Sequence, residues 1–118
     1  MTDTYRTGLA GEALAAAHLE AQGYAILDTR FKTREGEIDL VAAQRGLIVF
    51  VEVKARATAE DGAAALEGLA RDHKRIVAAG NAWCAQNPDH AAQCDFRFDV
   101  VLVIGNQVAD HIENAFVG

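Results

Sequence analysis

The chain alternates between helical and strand-like hydrophobic spacing. In GLAGEALAAAHLEAQ, residues 8–22, Leu9, Ala13, Ala16 and Leu19 recur at helical intervals among strong helix formers. Thr7 stands where an N-cap belongs and Gly23 where a helix commonly ends. Tyr24 to Leu27 reads as a first strand, and the polar stretch Thr29 to Arg34 as its extended continuation. Two β-branched runs follow, Glu37 to Ala43 and Leu47 to Lys54, joined around Arg45-Gly46. TAEDGAAA, residues 58–65, reads as a loop leading into a helix. From Leu66 to Ala85, an apolar stripe of Leu66, Leu69, Ile76, Val77, Gly80, Trp83 and Cys84 predicts a long helix, stopped by Asn87-Pro88. FRFDVVLVIG then predicts another strand, and Gln107 to Ile112 a short edge strand.

The order is α-β-β-β-α-β with one strand added. A long helix between the third and fourth strands predicts a crossover and hence a parallel pair. A hairpin plus a parallel crossover gives an α/β fold, a mixed central sheet flanked by helices.

Composition narrows the setting. At 118 residues the size prior is one domain, 1–118, with room for a single core. No apolar run is long enough to span a bilayer, and MTDTYRTG lacks the features of a signal peptide, so no membrane association and a cytoplasmic location are expected. Cys84 and Cys94 are then expected as reduced thiols, and no histidine pairs with either at zinc-ligand spacing. The net charge of −6 argues against tight, non-specific binding of a polyanion. It leaves room for a local basic face drawn from Arg30, Lys32, Arg34, Lys54, Arg56, Arg71, Lys74 and Arg75.

The candidate chemistry lies in GEIDLVAAQRGLIVFVEVKAR, residues 36–56, where Asp39, Glu52 and Lys54 interrupt apolar strands. Residues two apart on a strand share a face, which groups Glu37 with Asp39 and Glu52 with Lys54. With an even-numbered loop at Arg45-Gly46, Asp39 opposes Glu52 and Glu37 opposes Lys54; a three-residue loop without a bulge turns Asp39 to the other face. In the even register two carboxylates stand close enough to repel, and burial raises the cost. A shared proton, a cationic neighbour or a divalent metal would relieve them. Oxygen donors suit hard ions such as Mg²⁺ or Mn²⁺. The plainer alternative is a cross-strand Glu-Lys ion pair and a solvated Asp.

The ordered set GEIDL, VFVEVKAR and RFDVV, with GEALAAAHLEAQGY before it and HIENAF after it, resembles the YraN family of small bacterial proteins across nearly the whole chain. That family in turn resembles the PD-(D/E)XK nuclease superfamily, which includes Holliday-junction resolvases. The resemblance implies a restriction-endonuclease-like αβββαβ core. It matches Asp39 to the first acid of the motif, Glu52-Val53-Lys54 to the triplet, and Glu12 to a carboxylate that many members aim at the same site. By that likeness Asp39, Glu52, the Val53 carbonyl and Glu12 hold Mg²⁺ or Mn²⁺, and Lys54 polarises water and contacts phosphate. The implied substrate is DNA, branched or otherwise structured, and the resolvase likeness implies a homodimer. Ile38 stands where the superfamily motif has Pro. Glu37 would pair with Lys54 or with an arginine, while Arg56 and Lys74 are candidates for backbone contacts to DNA. The alternative is a catalytically silent module of the same fold that binds nucleic acid or a protein partner; a third reading is an acidic scaffold. Arg97 and Asp99 read as an internal ion pair, and Trp83 as helix packing.

Overall fold

The structure, a computed structural model, describes residues 3–116, with side chains from Gly8 onward except at position 70. The elements are α1 (Asp3–Ala21), β1 (Ala25–Lys32), β2 (Glu37–Gln44), β3 (Leu47–Arg56), α2 (Ala59–Glu67), α3 (Leu69–Gln86), α4 (Pro88–Gln93), β4 (Asp95–Ile104) and β5 (Gln107–Ile112). The five strands lie in sequence order; β3 and β4 are parallel and every other pair is antiparallel. This is the mixed, helix-flanked α/β sheet expected, and it is compatible with an αβββαβ restriction-endonuclease-like core. Among the described residues, no helix is long and apolar enough to cross a membrane.

Three boundaries differ from expectation. Helix α1 begins at Asp3, so Thr7 lies within it and not at its cap. The stretch 58–65 is mostly helix, because the Thr58 hydroxyl accepts the Asp61 amide at 3.2 Å and starts α2, carrying Gly62 inside it. The long helix read from Leu66 breaks at Gly68, which ends α2 and opens α3. Pro88 stops α3 and also occupies the first turn of α4, where its missing amide costs nothing.

Helices cover both faces of the sheet. Ala15 and Leu19 of α1 pack on Leu40, Ala42, Val49, Val51, Val101 and Val103. Ala79 and Trp83 of α3 pack on Ile38, Val41, Ile48 and Phe50. Val49 and Val51 belong to the first layer and Ile48 and Phe50 to the second, so β3 alternates cleanly. Strand β2 does not. Leu40 faces α1 while Ile38, two residues away, faces α3, so the period of two fails at Asp39. The position opposite Asp39 on β1 is Arg30, between the pairs Thr29↔Leu40 and Phe31↔Ile38, and its φ of 53° is left-handed. A non-glycine residue in that region marks local strain. The twist it introduces turns Asp39 out of the normal alternation.

The Arg97 and Asp99 pair is internal, as read. Asp99 is fully buried and receives two bonds of 2.8 Å from Arg97, one from His111 Nε2 at 2.8 Å and one from the Asn114 amide at 3.0 Å. Burial pushes the Asp99 carboxyl up, but these partners outweigh it and hold it below the ordinary range. Arg97 also donates to the Tyr24 hydroxyl at 2.9 Å, tying β4 to the start of β1. Cys84 and Cys94 are free thiols, half-buried beside the α3 layer.

Helix α1 rests on β3 through Gly11, where a Cβ would stand 2.5 Å from the Ala55 Cβ. Gly11→Ala is therefore expected to lift α1 and lower stability by about 1–3 kcal/mol, the usual cost of overpacking. A thermal melt of the variant checks this; an unchanged Tm would show that α1 docks less closely than described.

Candidate functional site

The β2–β3 ladder runs from Gln44↔Leu47 to Leu40↔Val51, the register expected of an even loop. It stops there. Beyond Val51 the two strands part, while β3 stays paired with β4 as far as Arg56. The resulting rift is bridged by a side chain: Asp39 Oδ2 accepts the Val53 amide at 2.7 Å. Asp39 thus takes with one oxygen a place that a backbone carbonyl would fill, while Glu52 lies close enough to act on its charge. Val53 contributes its amide to this contact.

A cavity of ≈ 220 Å³ opens at the rift, lined by Glu37, Asp39, Glu52, Lys54, Asp72 and Arg75. The three motif residues Asp39, Glu52 and Lys54 thus converge on one space. Lys54 Nζ lies 3.5 Å from Glu52 Oε1 and 3.3 Å from Asp72 Oδ2, and Arg75 Nη2 lies 3.7 Å from Asp72 Oδ1. Glu12 approaches from the α1 side, 4.0 Å from Arg30 Nε and in side-chain contact with Asp39. Glu12 itself is not among the residues that line the cavity. The turn before β2 is seated against α3: Thr33 Oγ1 receives the Glu35 and Gly36 amides, and a Cβ on Gly36 would stand 2.6 Å from the Arg75 carbonyl oxygen. That contact brings Glu37 beside Arg75.

The electrostatics are unbalanced. Four carboxylates line the cavity against two cations, leaving two negative charges uncompensated when all are ionised. Burial, with help from Glu52, raises the Asp39 pKa to about 7 in spite of the Val53 amide. Burial also raises Glu52, with Lys54 opposing and Asp72 and Glu37 adding to the rise. Glu12 is raised by burial, with Arg30 opposing. Among the described residues, no group of three or more His, Cys, Asp or Glu side chains is already gathered around an ion-sized space. The donor set still fits a hard divalent cation, since every donor is an oxygen and the surplus charge is what such an ion neutralises.

Glu37 lines the cavity beside Arg75 as well as Lys54, with no described ion pair to either. Arg56 lies on the adjoining surface, its Nη1 donating to the Ala55 carbonyl at 2.8 Å. Lys74 is exposed and outside the cavity lining, where its neighbour Arg75 stands instead. Sequence reasoning missed Asp72. Its only signal was its place three residues before Arg75, on the polar side of the helical stripe, which looks like any wet helix face.

Residues 11–103 match the model of the uncharacterised protein family UPF0102. The chain belongs to that family. This is the YraN family of the sequence resemblance. A UPF0102 protein of Rhodopseudomonas palustris strain ATCC BAA-98 / CGA009 is 51% identical over 112 residues, covering 95% of this chain and 84% of its own. One of Bradyrhizobium sp. strain ORS 278 is 50% identical over 112 residues, covering 95% of this chain and 77% of its own. The UPF0102 match contains Glu12, Glu37, Asp39, Glu52, Lys54 and Asp72.

The raised Asp39 carboxyl sets a pH dependence. The folded chain keeps this proton up to about pH 7, whereas the ordinary value is 3.8, so between those limits the native state holds the extra proton. Stability therefore falls as pH rises through that window, and the loss is complete above it. Asp39→Asn cannot ionise and keeps an oxygen for the Val53 amide. At pH 8 it is expected to be more stable than the parent by about 1–3 kcal/mol, with the gain fading towards pH 4. Denaturant melts of both chains at pH 5 and pH 8 check the sign.

Proposed function

We propose that the rift between β2 and β3 is the active site of a divalent-metal-dependent phosphodiesterase that acts on DNA. The observation that carries this reading is the convergence of Asp39, Glu52 and Lys54 on one cavity with a deficit of two positive charges. The resemblance to PD-(D/E)XK nucleases supports the same three residues. Such an ion, Mg²⁺ or Mn²⁺, would supply a water of lowered pKa and neutralise charge on the phosphate.

The chain's own groups would do the rest. Asp39 and Glu52 would hold the ion, with Glu12 within reach of Asp39 from the opposite face. Lys54 is positioned by Glu52 and Asp72, which fixes its ammonium at the cavity wall. There it would face the non-bridging oxygens and stabilise the charge that develops on them. Branched or structured DNA is the substrate class that the resolvase likeness suggests.

A second reading has one observation in its favour. Lys54 is already held by two carboxylates, an arrangement that a silent module would also show. Metal binding separates the two. A ligand specific to the folded state raises stability by about 2.7 kcal/mol at one hundred times its Kd. With millimolar Mn²⁺ at pH 8, the native chain is expected to melt several degrees higher, and Glu52→Gln to lose that shift. The shift is also expected to shrink below pH 7, where Asp39 keeps its proton. Cleavage of flap, four-way and duplex DNA with Mg²⁺ is expected to vanish in Asp39→Ala, Glu52→Ala and Lys54→Ala. No Mn²⁺ shift in the native chain, or full cleavage by all three variants, would reject the metal-dependent mechanism.

A further inference from the structure

The cavity at the rift does not stand alone. A second, larger cleft of ≈ 390 Å³ adjoins it and shares two of its walls, Lys54 and Asp72. Its other charged residues are Arg56, Arg71 and Asp61, so three cations face two carboxylates. The first cavity has the opposite balance. Two neighbouring clefts of opposite sign, joined at a lysine, suit a ligand that presents one phosphate to a metal site and the next to basic groups.

Arg71 is the sharper clue. Gly68, at the corner between α2 and α3, has an ordinary helical φ of −83°, so its backbone needs no glycine. What it lacks is a Cβ, which would stand 2.8 Å from Arg71 Nη2. The guanidinium of Arg71, an exposed and flexible side chain, lies over this corner. The Arg71 amide donates to the Gly68 carbonyl at 3.2 Å, but among the described residues its guanidinium has no hydrogen-bond or ion-pair partner. A guanidinium seated in a cleft, with its five donors unspent on the protein, is suited to bidentate capture of phosphate. Arg56 reaches the same cleft from β3, two residues beyond Lys54.

We propose that this second cleft holds the phosphate and nucleotide next to the scissile one on the same strand, with Arg71 and Arg56 as its phosphate contacts and Lys54 at the junction. The inference rests on the phosphodiesterase reading and narrows it to a single-stranded segment, such as a flap or an unpaired arm. The volume lies in the range of about 300–1,000 Å³ found for small-ligand sites, enough for one nucleotide lying in a groove. A groove that tracks one backbone through cationic side chains is the usual solution for single strands. It also fits the overall charge of −6: attraction is confined to the groove while the remaining surface repels polyanions.

The test measures binding without turnover. A fluorescently labelled oligothymidylate of about twelve nucleotides, the length of one ordinary single-strand site, is titrated with the native chain in EDTA at several salt concentrations. The expected result is binding that the Arg56→Gln/Arg71→Gln double variant weakens about tenfold. The salt slope is expected to fall by roughly 1.4, two contacts at about 0.7 each for a single strand. Arg71 is exposed and Arg56 half-buried, and a melt confirms that the variant folds. Equal affinity and slope in native and variant chains would overturn the inference, as would no binding by the native chain. Equal or tighter binding to a blunt duplex of the same length would overturn it too. Cleavage in Mg²⁺ is scored separately with Glu52→Gln. Arginine-dependent binding without any cleavage keeps the cleft and removes the enzyme; cleavage lost in Glu52→Gln with arginine-independent binding does the reverse.

Discussion

The bond from the Val53 amide to Asp39 Oδ2 decides the architecture of the site. A central strand must satisfy the amides on both of its edges, and an unpaired buried amide is costly. If β2 had continued its ladder beyond Leu40, its backbone would have met that demand and the sheet would have stayed closed. A carboxylate meets it instead, which lets the two strands separate and still leaves the amide paired. The opening exists because a side chain has replaced a main-chain acceptor. The left-handed turn of Arg30 on β1 is the complementary distortion, since it carries the neighbouring strand through the same change of face.

The acid that holds the rift open is also the acid with the most perturbed titration there. Serving as an acceptor for Val53 favours its charged form, yet burial and the surrounding carboxylates disfavour that form more strongly. The fold thus keeps a destabilised charge where a sheet of this kind would otherwise place an aliphatic side chain. Elsewhere the same protein handles a fully buried acid differently. Asp99 is surrounded by donors and is held in its ionised form. One buried carboxylate is satisfied and the other is left short of positive charge. That contrast distinguishes a structural acid from a candidate ligand better than burial alone.

Much of this could be read in the sequence because strand patterns encode it directly. The loop at Arg45-Gly46 fixed the β2–β3 register, and the apolar run before Glu52 marked β3 as central. The helix between β3 and β4 implied their parallel pairing. The departures share a physical cause. Local pattern does not show where a ladder ends, so the bond from the Val53 amide to Asp39 could not be read from spacing. The split of the long helix at Gly68 was hidden because the apolar stripe runs across the break. Asp72 was overlooked for a related reason: its role depends on the distance between α3 and β3, and no spacing along the chain encodes that.

The lock on Asp99 bears on the order in which the chain can mature. Arg97 lies two residues before it, but the His111 ring and the Asn114 amide come 12 and 15 residues after it. Two of its three partners thus come from β5 and the bend after it. Until they arrive, burying β4 beside β3 would seal an acid with only part of its hydrogen-bonding shell, so water has to remain around that strand. The last strand and the bend after it act as a closing latch: the middle of the sheet can dry only when they are in place.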